Sequence, residues 1–220
     1  MCLLKLIVIE GIDGSGKQTQ SELLVNALKN RGYSVVSLHF PNYDSPSSSL
    51  VKMYLSGEFG ENASLVNPYV ASSFYAVDRA ATFAKSSEIF DFDFVICDRY
   101  TTSNMIHQAS KLPRLERDRF LDWLENYEYD LLQIPRPNKV IFLDASIDVT
   151  KKLTMERQFK SGTKKDIHES DIEYMESCYN SAIYCAEKFA WGKVNCAPNG
   201  EMLSIEEIHN IILSKLEDLV

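Results

Sequence analysis

The chain is poor in the features that mark disulfide-stabilised and zinc-binding proteins. Its 220 residues contain only five cysteines, an odd number with no C-x-x-C pair among them. A disulfide framework or a structural zinc site is therefore not expected. We expect buried, reduced thiols in a cytoplasmic protein. The cysteines are Cys2, Cys97, Cys178, Cys185 and Cys196.

Basic side chains and long apolar runs are also scarce. The chain has 23 Lys and Arg against 31 Asp and Glu, a formal net charge of −8, whereas nucleic-acid-binding domains usually carry a basic surface. No apolar run approaches the roughly 18 residues of a membrane span. The apolar N-terminus leads directly into a glycine loop and lacks the small-residue cleavage site of a signal peptide. The composition predicts a globular protein that binds neither nucleic acid nor membrane.

Apolar runs alternate with helical patterns along the chain. The runs typical of buried strands are Leu6–Glu10, Phe94–Asp98 and Val140–Asp144, with weaker candidates at Ser34–Phe40 and Lys193–Ala197. The predicted helices are Lys17–Arg31, Ser47–Leu55, Pro68–Phe90, Leu115–Tyr129, Ser146–Phe159, Ile172–Phe189 and Ser204–Leu219, the last opened by a capping box of Ser204 and Glu207. This order predicts a single α/β domain over residues 1–220, with a five-stranded parallel sheet and helices on both faces.

A glycine-rich loop directly follows the first predicted strand and opens a helix. It matches the phosphate-binding pattern G-x-x-x-x-G-K, ending at Lys17. Backbone N–H groups of such a loop surround an oxyanion, the helix N-terminus adds partial positive charge, and the lysine reaches the outer phosphates. We expect ATP to bind here. The residues concerned are Gly11, Ile12, Asp13, Gly14, Ser15, Gly16, Lys17, Gln18 and Thr19.

The residue after the loop lysine departs from the usual pattern. Gln18 stands where a Ser or Thr hydroxyl normally ligates Mg²⁺, and Thr19 follows one position late. Either Thr19 takes part in binding the metal, or carboxylates, water and the nucleotide hold it. Asp13 is the nearest carboxylate, and its alternative role is to hydrogen-bond the loop backbone.

A second anion site is indicated where another predicted strand ends. Arg99 directly follows Asp98, and open α/β sheets bind ligands at this carboxyl edge. In a long predicted helix, Tyr75 and Arg79 are four residues apart and share one face. A ring beside a guanidinium suits a planar aromatic ligand, whereas Arg79 alone is typical of an exposed helix arginine.

Four motifs carry a resemblance to a known family. They are E-G-I-D-G-S-G-K-Q-T-Q at Glu10–Gln20, F-P-N-Y at Phe40–Tyr43, F-Y-A-V-D-R at Phe74–Arg79 and D-R-Y-T-T-S-N at Asp98–Asn104. In these motifs, their order and its length, the chain resembles the thymidylate kinases, P-loop kinases that act on a nucleoside monophosphate. The resemblance implies a P-loop NTPase fold with a small lid. It also implies transfer of the γ-phosphoryl group of ATP to dTMP, giving dTDP and ADP for dTTP synthesis.

The resemblance implies a role for each matching residue around the acceptor. Arg99 would bind the acceptor phosphate, with Phe40 and Tyr43 lining the same corner. Asp13 would meet the sugar 3′-hydroxyl and the metal shell. His107 falls where some members have a Tyr that excludes a ribose 2′-hydroxyl. It would either discriminate between sugars or serve as an ordinary helix histidine.

The base would contact three further residues on the same grounds. Tyr75 would stack on thymine, at a position that the family usually gives to Phe. Arg79 and Asn104 would hydrogen-bond the base edge. The family is commonly a homodimer packed through helices beside the substrate site, so a homodimer is expected.

The basic stretch Lys160–Glu169 is unexpected in an acidic protein and is either a solvated loop or functional. It falls where the family has its lid, at about residues 157–169. Since Gly14 leaves the phosphate loop without an arginine, the resemblance places the catalytic cation in the lid. Arg157 is preferred, because its planar fork spans two phosphate oxygens. Glu169 is the candidate metal ligand beside Asp13.

Two other functions remain open from the residues alone. A deoxynucleoside kinase would need a carboxylate base near a 5′-hydroxyl, for which Glu10 is available, but Arg99 and Tyr43 would then have no phosphate to bind. A regulatory P-loop ATPase would need a water-positioning residue and a partner surface, and the sequence identifies neither.

Overall fold

The computed structural model describes residues 4–60, 62, 65–153 and 172–220. The expected lid at about 157–169, with Arg157 and Glu169, lies outside these residues, as does Cys2. Cys97, Cys178, Cys185 and Cys196 are buried free thiols. No helix of the described residues is long and apolar enough to cross a membrane.

Five parallel strands form one sheet, as the sequence predicts. They are β1 (Lys5–Glu10), β2 (Val35–His39), β3 (Phe94–Asp98), β4 (Lys139–Asp144) and β5 (Gly192–Asn195). Their order is β2-β3-β1-β4-β5. Ile9 of β1 pairs with Asp98 of β3 on one side and Ile141 of β4 on the other. The ends of the three central strands therefore meet at one edge.

The central strands carry apolar side chains on both sides because both faces of the sheet are packed against other parts of the protein. Leu6 and Val8 of β1 belong to a large apolar cluster with Phe120 and Phe142. Ile7, the residue between them, belongs to a second cluster on the opposite face. Each fully buried side chain of this size contributes about 1.5–3 kcal/mol of transfer free energy. A strand of this kind has no polar face, which is why the runs show no alternation.

Helices connect the strands along most of the chain. They are α1 (Lys17–Asn30), α2 (Ser49–Leu55), α3 (Pro68–Lys85), α4 (Thr101–His107), α5 (Arg114–Glu125), α6 (147–153), α7 (Ile172–Lys188) and α8 (Ile205–Ser214). The capping box of α8 is confirmed. Ser204 Oγ accepts from the Glu207 backbone N–H at 3.2 Å, and the Glu207 carboxylate accepts from the Ser204 backbone N–H at 2.8 Å.

Three helices end earlier than the sequence predicts, and the last of them, expected to reach Leu219, ends at Ser214. The helix expected to reach Phe90 ends at Lys85, and a 3₁₀ segment follows at Ser87–Asp91. The helix expected to reach Tyr129 is α-helical only to Glu125 and then continues as a π segment, Asn126–Leu131. A π turn inserts one residue into the helix, so apolar spacing alone does not reveal it.

Candidate active site

A cavity of about 450 Å³ opens at the carboxyl edge of the sheet. Its volume lies in the ordinary range of ligand sites, and its position is where open α/β sheets bind ligands. Thirteen of the residues expected from the sequence line it: Asp13, Gly14, Gly16, Lys17, Gln18, Thr19, Phe40, Tyr43, Tyr75, Arg79, Arg99, Asn104 and His107. Gly11, Ile12 and Ser15 of the loop are buried and do not line the cavity.

The phosphate loop has a backbone that favours glycine at Gly11, Gly14 and Gly16, all of which have a positive φ. Gly16 is the N-cap of α1 with φ of 90°, a left-handed conformation. At Gly11 a Cβ would lie 2.5 Å from Ser15 Oγ and 3.0 Å from the Leu143 carbonyl oxygen. The loop therefore packs directly against the end of β4, with α1 beginning at its far end.

Lys17 is a buried cation at the head of α1. Its Nζ donates to the Ile12 carbonyl oxygen at 2.9 Å and lies 3.8 Å from the Asp13 carboxylate. Burial, followed by the charge of Arg99, lowers the pKa of Lys17 to about 8. A bound polyphosphate would supply the negative charge that favours the ammonium form.

This pKa predicts how ATP affinity depends on pH. Bound phosphate raises the pKa of Lys17, so above pH 8 binding must take up a proton that free Lys17 has lost. We expect ATP affinity to weaken several-fold between pH 8 and 9 and to change little between pH 7 and 7.5. Isothermal titration at each pH measures it. A Lys17→Arg variant, whose side chain does not titrate, should bind ATP without this slope. An equal dependence of ATP affinity on pH in both proteins would show that Lys17 is not the group that titrates.

Arg99 leaves β3 in an uncommon backbone conformation. Its φ is 67°, in the left-handed region that is uncommon for residues other than glycine and that recurs at functional sites. The guanidinium pairs with the Asp13 carboxylate and lies 4.0 Å from Glu10 and 3.3 Å from His107 Nε2. Burial alone would lower the pKa of Arg99, but the charges of Asp13 and Glu10 raise it above its ordinary value. The edge of the sheet thus holds a permanent cation beside the phosphate loop.

Glu10 is fully buried at the end of β1 and holds the neighbouring backbone. One carboxylate oxygen accepts from the Gly11 N–H at 2.9 Å. The other accepts from the hydroxyls of Thr102 and Ser103, both at 2.8 Å. Both oxygens are therefore committed to the scaffold, and Glu10 does not line the cavity.

Asp98 is a site carboxylate that the sequence reasoning did not single out. His39 Nδ1 lies 3.1 Å from one of its oxygens, and the other is buried without a hydrogen bond from the described residues. Burial opposes ionisation, but the His39 contact and the charges of Lys17 and Arg99 hold the pKa of Asp98 below its ordinary value. Its place directly before Arg99 at a strand end was the available signal.

Arg79 is buried, not exposed. Only 1% of it is accessible, and its guanidinium is clamped by Glu128, which is itself fully buried. Asn104 Nδ2 donates to the same carboxylate at 3.2 Å. Glu128 was missed because its partner Arg79 is 49 residues away and no local pattern links them.

Aromatic side chains complete the cavity wall. Tyr75 lines it and packs edge-on against Tyr54, with ring centroids 6.2 Å apart. Phe40 is buried against Tyr100, whereas Tyr43 is 45% exposed at the mouth. The loop 42–48 that carries Tyr43 is tied down from α3, because Asp78 accepts from the Asn42 N–H at 2.7 Å and from the Ser47 hydroxyl at 2.5 Å.

The donor set is suited to a magnesium–nucleotide complex. The Asp13 carboxylate lies at the cavity, and the buried Asp98 oxygen has no hydrogen bond from the described residues. Carboxylate oxygen is the ligand type that Mg²⁺ prefers, usually with several waters retained. Gln18 instead donates to Glu22 on the exposed surface of α1. Within the described part of the chain, no cluster of three or more metal-binding side chains is present.

The chain is similar over nearly its whole length to proteins of one function. The family model described as thymidylate kinase matches residues 9–210. A thymidylate kinase of Mycobacterium tuberculosis is 34% identical over 190 residues, covering 85% of this chain and 86% of that protein. One of Plasmodium falciparum is 28% identical over 212 residues, covering 96% and 89%. A solved structure of a Candida albicans thymidylate kinase matches with a TM-score of 0.73 at 18% identity, covering 98% and 92% of the two chains.

Proposed function

The chain belongs to the thymidylate kinase family, and we propose that ATP phosphorylates dTMP within the cavity at the carboxyl edge of its sheet. The reaction of the family gives dTDP and ADP. One observation carries the assignment of the site: a single cavity joins the phosphate loop, the cation Arg99 and the wall formed by Tyr75, Arg79 and Asn104.

The chemistry needs positioning and charge neutralisation more than a base. The acceptor phosphate is already largely ionised at neutral pH, because the second pKa of a phosphate monoester is about 6. The protein must instead hold two polyanions in line and meet the charge on the transferring group. The buried Lys17 and the partly buried Arg99 are the two cations available for this among the described residues that line the cavity near the phosphate loop. A deoxynucleoside kinase is not favoured, because Glu10 is committed to Gly11, Thr102 and Ser103.

The acceptor phosphate is proposed to bind Arg99. In the structure Arg99 pairs with Asp13, and an incoming phosphate would take the place of that carboxylate. Asp13 would then turn to the sugar 3′-hydroxyl and the metal shell. Phe40 and Tyr43, which line the cavity, would contact the acceptor phosphate, and His107, 3.3 Å from Arg99, would face the sugar.

Mg²⁺ would be held by Asp13 and Asp98, with nucleotide and water completing its shell. The bound ion would neutralise charge on the nucleotide phosphates. Glu169, the other expected ligand, lies outside the described residues. Thr19 lines the cavity and remains a candidate in place of the usual loop hydroxyl.

A basic lid is proposed to close over the donor phosphates and exclude water. The segment 157–169 would supply it, with Arg157 as the cation that the phosphate loop lacks. The support is compositional: Lys160, Lys164 and Lys165 cluster there in an acidic chain. If Arg157 acts in the transition state, Arg157→Ala should lower kcat about 10²–10³-fold with little change in ATP affinity. An unchanged kcat would exclude it.

Two further proposals concern the whole protein. A homodimer is supported by α3, where Val70 and Val77 expose almost half of their surface on one helix face. A cytoplasmic location is supported by the four buried free thiols.

An acceptor panel tests the function directly. ADP release from ATP should be rapid with dTMP and slow with thymidine, and should be near background with no acceptor. Measured beside dUMP, dCMP and dGMP, it also defines the acceptor range. ADP release independent of any acceptor would indicate an ATPase, and a preference for thymidine over dTMP would indicate a nucleoside kinase.

A further inference from the structure

Glu128 lies in the π segment Asn126–Leu131 and is fully buried, beside the buried Tyr129. Adjacent helical positions normally face different directions. Single π turns are frequent at functional sites, because the inserted residue turns a side chain toward a new direction. Here a carboxylate reaches the wall of the cavity from behind, without lining it.

The Glu128 carboxylate accepts four hydrogen bonds, two on each oxygen. One oxygen accepts from Arg79 Nη2 at 2.6 Å and from Asn104 Nδ2 at 3.2 Å. The other accepts from Arg79 Nε at 2.6 Å and from the Thr101 hydroxyl at 2.8 Å. Both cavity residues proposed to meet the base edge are therefore held by one carboxylate.

These contacts determine which way the Asn104 amide faces. Its Nδ2 donates to Glu128 and to the Ser72 carbonyl oxygen at 3.2 Å, and both of these groups can only accept. Rotating the amide by 180° would place Oδ1 against the Glu128 carboxylate and the Ser72 carbonyl oxygen, which cannot donate a hydrogen bond. Both hydrogen bonds of the Asn104 amide to the described residues are made by Nδ2, so Oδ1 is the amide atom left for the cavity that Asn104 lines.

The same contacts leave Arg79 with a limited set of donors. Its Nε and Nη2 bind Glu128, and Nη1 donates to the Tyr100 carbonyl oxygen at 3.3 Å. One N–H on each Nη remains for the cavity. The cavity wall therefore presents a fixed acceptor, Asn104 Oδ1, beside fixed donors from Arg79.

We propose that Glu128 is a positioning residue that sets base selectivity by fixing this acceptor and these donors. Thymine offers an N3–H donor beside the O4 acceptor and matches the pattern, whereas cytosine offers an N3 acceptor beside an amino donor and opposes it. The inference rests on the proposed function, since it assumes that Arg79 and Asn104 meet the base. A site that can hydrogen-bond to thymine but not to cytosine leaves buried polar groups unpaired when cytosine binds.

A Glu128→Gln variant tests the proposal. In either orientation of the new amide, its NH₂ group faces an N–H of Arg79, so the paired hydrogen bonds from Arg79 Nε and Nη2 cannot both form. We expect KM for dTMP to rise at least tenfold and the selectivity for dTMP over dCMP, as a ratio of kcat/KM, to fall at least tenfold. KM for ATP should stay within twofold. Glu125→Gln, in the same helix but paired with the surface residue Arg136, should change none of these values.

A second variant covers the case in which Glu128→Gln does not fold, because it leaves Arg79 buried without a carboxylate. Thr101→Val removes one donor to Glu128 and nearly preserves volume, and it should lower the dTMP-to-dCMP ratio about threefold or more. A purely structural role would reduce activity toward both acceptors equally and leave the ratio unchanged. An unchanged ratio in folded Glu128→Gln, or in Thr101→Val if the first variant is unfolded, overturns the proposal. Failure of the wild type to phosphorylate dTMP would instead overturn the proposed function.

Discussion

Lys17→Ala is expected to lower kcat for dTMP phosphorylation by about 10³-fold or more, while the protein still folds. Lys17 is the buried cation of the phosphate loop, and a fixed charge at the transferring group stabilises the transition state more than the ground state. Folding should not suffer, because burial lowers the pKa of Lys17 to about 8 and so disfavours its charged form in the ligand-free protein. The ammonium cation therefore does not stabilise the fold at neutral pH.

Steady-state kinetics with saturating ATP and dTMP measure this effect, and thermal unfolding checks the fold. Lys29→Ala is the matched control, since Lys29 is an exposed lysine near the other end of the same helix. It should leave kcat within twofold. Turnover near the wild-type value in Lys17→Ala would show that the loop does not bind the transferring phosphate.

Arg99→Ala should damage use of the acceptor far more than use of ATP. A charge-assisted contact to a phosphate contributes about 2–4 kcal/mol, so kcat/KM for dTMP should fall about 30- to 10³-fold. The loss is expected to be large because Arg99 is mostly buried and its charge is maintained by Asp13 and Glu10. KM for ATP should change less than threefold.

Arg119→Ala on the exposed surface of α5 is the control for loss of an arginine. It should alter neither substrate constant. Arg99→Lys should recover only part of the acceptor affinity, because an ammonium group cannot span two phosphate oxygens. Equal losses for ATP and dTMP in Arg99→Ala would place Arg99 on the donor side of the cavity.

Much of the architecture is determined by local features of the sequence. The runs ending at Glu10, Asp98 and Asp144 lack polar alternation because the sheet is covered on both faces, and their alternation with helical patterns predicts a parallel sheet. Gly16 and Lys17 follow β1 at the spacing of a phosphate-binding loop. Arg99 was placed at the functional edge because a residue directly after a parallel strand has to lie there.

The resemblance to a family added what spacing could not supply. Tyr75 and Arg79 share a helix face, but nothing local indicated that Arg79 is buried. Its burial depends on Glu128, contributed by a π segment that apolar periodicity did not reveal. The roles of the base-edge residues therefore came from matched motifs, and the contacts that hold them came from the fold.

The sequence by itself determined the order of strands and helices along the chain, the phosphate loop and the position of Arg99 at a strand end. Each of these depends on neighbours within a few residues. Only the tertiary structure decided which carboxylates face which cations. Arg99 meets Asp13 across 86 residues, and Arg79 meets Glu128 across 49. Such pairs are set by how the helices pack on the sheet. A buried amide or guanidinium takes its direction from the partners that packing brings to it.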